Sequence, residues 1–275
     1  MNKAFKSTLY LLTLMALSET AYCQGMKMGE VIIFSTSALK KDVKPEVFQS
    51  WFNKEIAPPD KNKPEISMHL FRADRDDRKG EFLFVCTADK VTNRKTLPPG
   101  SPFNSKKLSN TNTNSGLSDF LTDPNFYIEY HLIGADKFKS LPVAGILGIH
   151  YIKVNPDRSK EFEKFVVQKL HPAVAQLLPD MQLLYYKAVA GNYKDTGAYI
   201  TIFTIGSVAA REKYWPTGGA ETEILKQRFR SLNDLAAELG SYLVEGSYLK
   251  PESGGAAAYF ESNEWTDFTH QGVLK

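Results

Sequence analysis

The chain has 275 residues, enough to bury two hydrophobic cores of ordinary domain size. Its 43% hydrophobic, 24% charged and 12% aromatic residues are typical of a globular protein and exclude a disordered or fibrous chain. The formal net charge of +3 at pH 7 is small, and the basic residues are interspersed with acidic ones, so the composition indicates no nucleic-acid partner.

The first residues are typical of a signal peptide. Lys3 and Lys6 precede an apolar run over 9–17, and a short polar stretch then leads to Cys23, with small residues where a signal peptidase reads the chain. The run is far shorter than the ~20 residues that span a bilayer, so we expect cleavage and not a membrane anchor. We predict a signal peptide over 1–23 and an exported protein, periplasmic or secreted, without a membrane span.

Loss of that segment would leave Cys86 as the only cysteine. No disulfide can then form within the chain, and a chain with cores of this size does not need one. Cys86 ends the apolar run 82–86, which favours a buried hydrophobic side chain over a reactive thiol.

The predicted elements occur in nearly the same order twice. In the first part, apolar spacing and turn residues predict a strand over 31–34, a helix over 44–56 and strands over 66–71, 82–87 and 126–132. In the second part they predict a strand over 146–154, a helix over 159–177, strands over 182–187 and 199–205, a helix over 221–239 ended by Gly240, and a strand over 242–249. The polar run 105–116 stands where the second part has its last helix, and it predicts a surface loop followed by a short helix over 117–121.

Corresponding residues indicate an internal duplication. The matched pairs, at a nearly constant offset, are Pro58 with Pro172 and Glu129 with Glu245. The segments predicted after the signal peptide are a first repeat over 24–136, a second repeat over 142–250 and a C-terminal tail over 251–275. Aromatic side chains of the tail could dock on the body, but the tail predicts no further domain.

Each repeat has the βαββαβ order of a ferredoxin-like α+β unit, which the first repeat completes without a long second helix. The short motifs at 169–172, 178–179 and 213–216 resemble the dimeric α+β barrel superfamily, the group of antibiotic-biosynthesis-type monooxygenases, EthD-like and NIPSNAP-like proteins. The resemblance implies that the two repeats pair their sheets within one chain as an intramolecular barrel. It also implies a pocket between sheet and helices or inside the barrel. Members oxidise aromatic substrates, bind or degrade haem, or have no established activity, so the fold alone does not supply the function.

A polar trio on the last strand of the first repeat is the main catalytic candidate. Tyr127, Glu129 and His131 are two residues apart and therefore share one face of the strand. A carboxylate can orient an imidazole and stabilise its charge, so Glu129 and His131 could act as an acid/base pair, with Tyr127 lining the site. The alternative is an ordinary solvated strand face.

Histidines on other strands provide a second candidate. His69 and His150 lie on two further predicted strands, and together with His131 they could converge inside a barrel to bind a ligand, a metal or haem. The alternative is three separate structural histidines. No cofactor follows from the sequence, although haem is compatible with it, and we predict no metal ligand.

His171 and a set of aromatic residues complete the candidates. His171 precedes Pro172, where it could end a helix as a cation that favours the helix dipole, or act in catalysis. Tyr185, Tyr214 and Trp215 could line a pocket for an aromatic ligand, or belong to the core.

Two functions remain open at this level. One is an exported, monooxygenase-like enzyme acting on a small apolar or aromatic molecule in a barrel pocket, and the other is a non-catalytic protein that binds a small ligand, haem included, or serves as a scaffold. The nucleotide-binding patterns GxxxxGK[ST] and GxGxxG and the metal patterns HExxH and CxxC do not occur. The sequence specifies neither the substrate nor the oligomeric state.

Overall fold

A computed structural model describes eleven stretches of the chain: 26–37, 39–56, 65–73, 80–95, 116–122, 127–134, 143–178, 181–191, 198–216, 222–244 and 266–271. The predicted signal peptide, the loop at 105–115 and most of the predicted strand over 242–249 lie outside the described residues.

The described strands are β1 (Met26–Lys27), β2 (Val31–Ser37), β3 (Ile66–Ala73), β4 (Phe82–Ala88), β5 (Ile128–Leu132), β6 (Val143–Ala144), β7 (Ile146–Lys153), β8 (Met181–Gly191), β9 (Ala198–Ile205) and β10 (Thr266–His270). The helices are α1 (Pro45–Glu55), α2 (Val91–Arg94), α3 (Leu117–Phe120), α4 (Ser159–Phe165), α5 (His171–Leu177), α6 (Val208–Glu212), α7 (Glu223–Arg230) and α8 (Asn233–Tyr242). A 3₁₀ turn (Pro156–Arg158) precedes α4, and a π-helical turn (Val166–Leu170) joins α4 to α5. No helix among the described residues is both long enough and apolar enough to cross a membrane.

Eight strands form one closed antiparallel sheet in the order β10-β3-β4-β2-β5-β8-β9-β7. β5 pairs with both β2 and β8, and β10 closes the sheet because it pairs with both β3 and β7. Strands β1 and β6 form a separate two-stranded sheet. The molecule is therefore a mixed α+β fold built on a curled antiparallel sheet.

Alternation along the strands divides the core into an interior cluster and two helix layers. The interior cluster takes residues from strands all around the sheet, including Ile32, Phe34, Phe71, Leu83, Tyr130, Tyr186, Ile200 and Ile202. The first helix layer packs α1 and α3 on the outer side of β2, β3 and β4, and the second packs α4, α5, α7 and α8 on β7, β8 and β9. Each large apolar side chain buried in this way contributes about 1.5–3 kcal/mol to folding.

Local signals account for the helices that cover the sheet. Pro45 stands in the first turn of α1, where its missing N–H is not needed, and Phe48 and Phe52 recur at helical spacing and are fully buried. Before α4, the side chain of Asn155 accepts a hydrogen bond from the backbone N–H of Asp157.

The structure confirms most predicted elements, such as the helix over 44–56 and the strand over 82–87, and corrects three. The predicted helix over 221–239 is interrupted between α7 and α8 and continues past Gly240 to Tyr242, so Tyr242 does not begin a strand. Helix character continues through His171, as the predicted helix over 159–177 requires, so the alternative that His171 ends a helix is wrong. The tail, expected only to dock, supplies a strand of the sheet.

Candidate functional site

β5 places Glu129 and His131 on the outer, helix-facing side of the sheet. The alternate residues Tyr130 and Leu132 belong to the interior cluster, so the odd-numbered side chains point the other way. At the β8 end of this pairing Gly191 adopts a positive φ of 107°, and a Cβ atom there would collide with the backbone of Tyr127. Glycine at this position therefore allows β8 to approach β5.

Three side chains form an ion-paired cluster on this face: Arg94, Glu129 and His131. Arg94, the last residue of α2, donates from Nε to Glu129 Oε2 over 2.8 Å. His131 Nε2 lies 2.9 Å from Glu129 Oε1. The side chains of Glu129, Arg94 and His131 are 7%, 15% and 28% exposed, so the carboxylate is enclosed and the imidazole reaches solvent.

The protonation of Glu129 follows from these contacts. Burial by itself raises the pKa of this carboxyl, but the hydrogen bonds from His131 and Arg94 and the positive charge of Arg94 outweigh it, and the net pKa is lowered. An ionised carboxylate can only accept hydrogen bonds, so Nε2 of His131 carries the proton that points at Glu129. In the neutral imidazole, Nδ1 then carries the lone pair.

The other ring nitrogen is available for chemistry. Within the described part of the chain, the bond to Glu129 is the hydrogen bond that His131 makes, so its Nδ1 has no partner there. An imidazole whose far N–H is held by a carboxylate can accept a proton at its near nitrogen, and the carboxylate then stabilises the imidazolium. The arrangement is that of a general base.

Cys86 lies close to this cluster without taking part in it. Cys86 and Glu129 both pair with Ile33 of β2, from opposite sides. Burial raises the pKa of the Cys86 thiol to about 12, with Arg94 lowering it and Glu129 raising it. The thiol is therefore protonated and unreactive in the folded protein, in agreement with its predicted role as a buried hydrophobic side chain.

Tyr127 is half-buried and packs against the first helix layer. On the other side of β5, the register places Lys187 of β8 opposite His131. Lys187 Nζ and the Tyr199 hydroxyl both donate to Glu163 Oε1 at 2.8 Å, so this lysine is held towards α4.

A second polar group, the enclosed row, crosses the outer side of β8, β9 and β7. It consists of Tyr185, Thr201 and His150, which are neighbours in register and lie under the second helix layer. His150 is 1% exposed, and burial lowers its pKa to about 3, so it is neutral at physiological pH. Among the described residues, the Thr201 hydroxyl finds no hydrogen-bond partner.

The histidines considered together in the sequence analysis do not converge. His131 and His150 face the helix layers from different halves of the sheet, whereas His69 shares the interior side of β3 with Phe71. The described residues contain no group of three or more His, Cys, Asp or Glu side chains able to hold a metal ion. His150 is enclosed under packed helices, so it could not reach a haem iron without displacing them, and the structure does not support the haem site considered above.

His171 lies apart from the ion-paired cluster. It begins α5 on the second helix layer, it is half-buried, and burial lowers its pKa. The prediction that it ends a helix as a dipole-stabilising cation is wrong, because α5 continues to Leu177. Neither Glu129 nor His131 interacts with it.

The remaining aromatic candidates belong to the second helix layer. Tyr214 is fully buried and its hydroxyl accepts a hydrogen bond from Arg228, and Trp215 packs on Phe203 with ring centroids 5.8 Å apart. Tyr185 packs edge-on against Phe162 at 5.9 Å. These contacts are those of core side chains.

Arg94, which completes the ion-paired cluster, was not predicted from the sequence. A basic residue one short helix after a buried strand is a weak signal, and only the strand order β4-β2-β5 brings it to Glu129. The hydroxyl groups of Ser67 and Thr87, which form a hydrogen-bonded chain with His69, were also missed.

No family model matches the sequence, and no curated protein matches it. Among solved structures, an anthrone oxidase-like protein is 10% identical with a TM-score of 0.47, covering 87% of this chain and 90% of its own. A candidate monooxygenase from Fusobacterium nucleatum is 10% identical with a TM-score of 0.44, covering 90% and 94%. A candidate monooxygenase from Lactobacillus acidophilus is 12% identical with a TM-score of 0.41, covering 74% and 86%.

Proposed function

We propose that this chain is an exported enzyme in which His131, oriented by Glu129, removes a proton from a small, largely apolar or aromatic molecule. The observation that carries the proposal is the Arg94–Glu129–His131 chain, with bonds of 2.8 and 2.9 Å on the helix-facing side of β5. Export rests on the signal-peptide pattern over 1–23, so we expect the mature chain to begin near Gln24.

Each member of the ion-paired cluster has one task. Arg94 keeps Glu129 ionised, Glu129 holds the Nε2–H of His131, and Nδ1 of His131 accepts the proton. The imidazolium formed in this step is stabilised by the adjacent carboxylate, so charge separation costs less than it would for an isolated histidine. A positioned base of this kind typically contributes 10²–10⁴-fold to a reaction rate.

The surroundings favour a substrate with an apolar body. Val31 and Ile33 lie beside His131 and Glu129 on β2 and are buried, and Tyr127 shares this face of β5. A molecule bound here would expose an activated C–H or O–H group to His131 Nδ1. In a reaction of the monooxygenase-like kind, oxidation of the resulting carbanion by dioxygen would follow the proton removal.

We propose further that the two halves, 24–136 and 142–250, are copies of one ferredoxin-like unit whose sheets join within the chain as a dimeric α+β barrel does between chains. The pairing of β5 with β8 supports this, because it joins a strand of the first half to one of the second. A helix layer on the outer side of each half also supports it. In this arrangement the ion-paired cluster stands at the junction of the two units.

The test is proton exchange into a weakly acidic aromatic ketone, for which 2-tetralone in D₂O is a suitable probe. We expect the full mature chain to accelerate deuterium uptake at the activated methylene group, and His131→Gln to reduce the enzymatic rate by about 100-fold. His171→Gln is the matched control, since it removes a half-buried histidine outside the cluster and should leave the rate unchanged.

Equal exchange rates for His131→Gln and the unchanged protein would refute the assignment of the base. The non-catalytic alternative predicts a different pattern: the probe binds, as measured by calorimetry, but no variant alters its exchange rate.

A further inference from the structure

We propose that the protein carries a second reactive site on the interior side of β3, where Ser67 is a nucleophile activated by His69. The site would transfer the acyl group of a small ester to Ser67 and then to water. It is independent of the Glu129–His131 pair, which lies on the opposite face of the sheet.

Geometry brings the reacting groups together. Ser67 and His69 are two residues apart on β3 and so share one side of the strand. Ser67 Oγ lies 2.8 Å from His69 Nε2 and 2.9 Å from Oγ1 of Thr87, its register partner on β4. A nucleophile and a base within 2.6–3.2 Å of each other meet the distance requirement for nucleophilic catalysis.

The direction of these hydrogen bonds follows from counting donors. Thr87 is buried, and in the described part of the chain its hydroxyl has Ser67 as its hydrogen-bond partner. A buried hydroxyl group that did not donate would leave its polar hydrogen unpaired, which is unfavourable, so Thr87 is assigned as the donor to Ser67. In the proposed site, the single hydroxyl proton of Ser67 is directed at His69 Nε2.

His69 Nε2 therefore accepts a hydrogen bond and carries no proton of its own. This is the tautomer that a general base requires, because the nitrogen facing the nucleophile must be able to take its proton. Thr87 adds a donor that stabilises negative charge as it develops on Ser67 Oγ.

The pair is accessible and separate from the ion-paired cluster. Ser67 and His69 are half-buried, whereas Thr87, to which Ser67 is hydrogen-bonded, is buried. Cys86, the residue before Thr87 on β4, lies on the opposite face of the sheet, on the same side as Glu129.

The reaction is balanced with water as the second reactant. Ser67 Oγ attacks the ester carbonyl carbon while its proton moves to His69 Nε2, and the leaving alkoxide departs as an alcohol with that proton. Water, deprotonated by His69, then cleaves the acyl–Ser67 bond. The products are a carboxylic acid and the original serine.

Labelling with diisopropyl fluorophosphate tests the proposal on the full mature chain. Ser67 should displace fluoride and gain the phosphoryl adduct, which peptide mass mapping locates. Ser67→Ala should abolish the adduct, His69→Gln should slow its formation by about 100-fold, and Thr87→Val by about 5-fold. Ser118→Ala, which removes an exposed serine on α3, is the control that should label like the unchanged protein.

Hydrolysis of p-nitrophenyl acetate measures turnover. We expect its rate to fall most in Ser67→Ala, less in His69→Gln and least in Thr87→Val. Absence of an adduct at Ser67 in the unchanged protein would overturn the proposal, as would His69→Gln labelling at the unchanged rate. Labelling is read at Ser67 and proton exchange is read on 2-tetralone, two measurements that depend on different residues, so failure of this site and failure of the proton-transfer site are distinguishable.

Discussion

The ion-paired cluster on β5 and the enclosed row on β7–β9 lie on the same side of one sheet, but burial leaves an ionised group in the first and a neutral group in the second. In the cluster, Glu129 remains ionised because Arg94 and His131 compensate its charge. In the enclosed row, His150 remains neutral because burial lowers its pKa to about 3. A histidine on this sheet is therefore suited to proton transfer where a carboxylate holds one ring nitrogen and the ring reaches solvent, as at His131, and it stays neutral where the ring is fully buried, as at His150.

The largest expected effect concerns the pH dependence of the enclosed row. The folded pKa of His150 is about 3, below its ordinary 6.5, so its contribution to stability is complete above pH 6.5 and is lost as the pH falls towards 3. The loss is at most about 5 kcal/mol over this range. Urea unfolding midpoints measured against pH should show this slope, and His150→Leu should lack it. A slope that persists in His150→Leu would place its origin elsewhere.

Both regions belong to one closed sheet, and the closure of that sheet depends on β10. Thr269 has neighbours on both sides, Arg72 on β3 and Ile146 on β7, so its N–H is bonded to one of them. Thr269→Pro removes this donor inside a sheet and should lower the free energy of unfolding by about 3 kcal/mol. Thr269→Ala retains the N–H and is the matched control. Equal unfolding free energies for the two variants would contradict the closure by β10.

A smaller effect is expected for the ion-paired cluster. Glu129→Gln removes the carboxylate that Arg94 and His131 bond and should lower stability by about 2 kcal/mol at pH 7. Because the pKa of Glu129 is lowered in the folded protein, its contribution is present above about pH 4.5 and is lost as the pH falls below that value. Glu129→Gln and the unchanged protein should therefore have the same free energy of unfolding in strong acid. A difference that stays constant with pH would show that the charge of Glu129 is not the cause.

The smallest effect is expected at Cys86, whose thiol serves only in packing. Cys86→Ala should cost about 1 kcal/mol and leave proton exchange into 2-tetralone unchanged. In the folded protein the thiol should not react with Ellman's reagent, because it is buried and its pKa is raised to about 12. Rapid reaction under native conditions would contradict this placement.

Local sequence patterns predicted individual helices and strands, but not how distant strands pair. The helical spacing of Phe48 and Phe52 and the apolar run of β4 are local properties, and both elements occur where they were expected. β10 was missed because its five residues include one large apolar side chain, Phe268, and so show little apolar alternation. Its position is set by pairing with β3 and β7, which are far away in the sequence.

In the candidate site, too, the local features were predictable and the long-range contacts were not. Alternation places Glu129 and His131 on one face of a strand, but which face meets the helices depends on how the sheet closes. Arg94, at the end of the short helix that follows β4, reaches Glu129 because β2 is the one strand between β4 and β5 in the sheet. The helix predicted over 159–177 passes through His171, whereas the suggestion that His171 ends a helix before Pro172 was wrong. The π-helical turn Val166–Leu170 instead places this proline in the first turn of α5, where no N–H is needed.

The central claim is that Glu129 holds the Nε2 proton of His131 and leaves Nδ1 free to accept another. Long-range ¹H–¹⁵N NMR of the ¹⁵N-labelled protein at pH 8 reads the tautomer of each imidazole directly, with His131→Gln providing the assignment. We predict that His131 is protonated at Nε2 and unprotonated at Nδ1, and that Glu129→Gln removes this preference. A proton on Nδ1 in the unchanged protein would contradict the account.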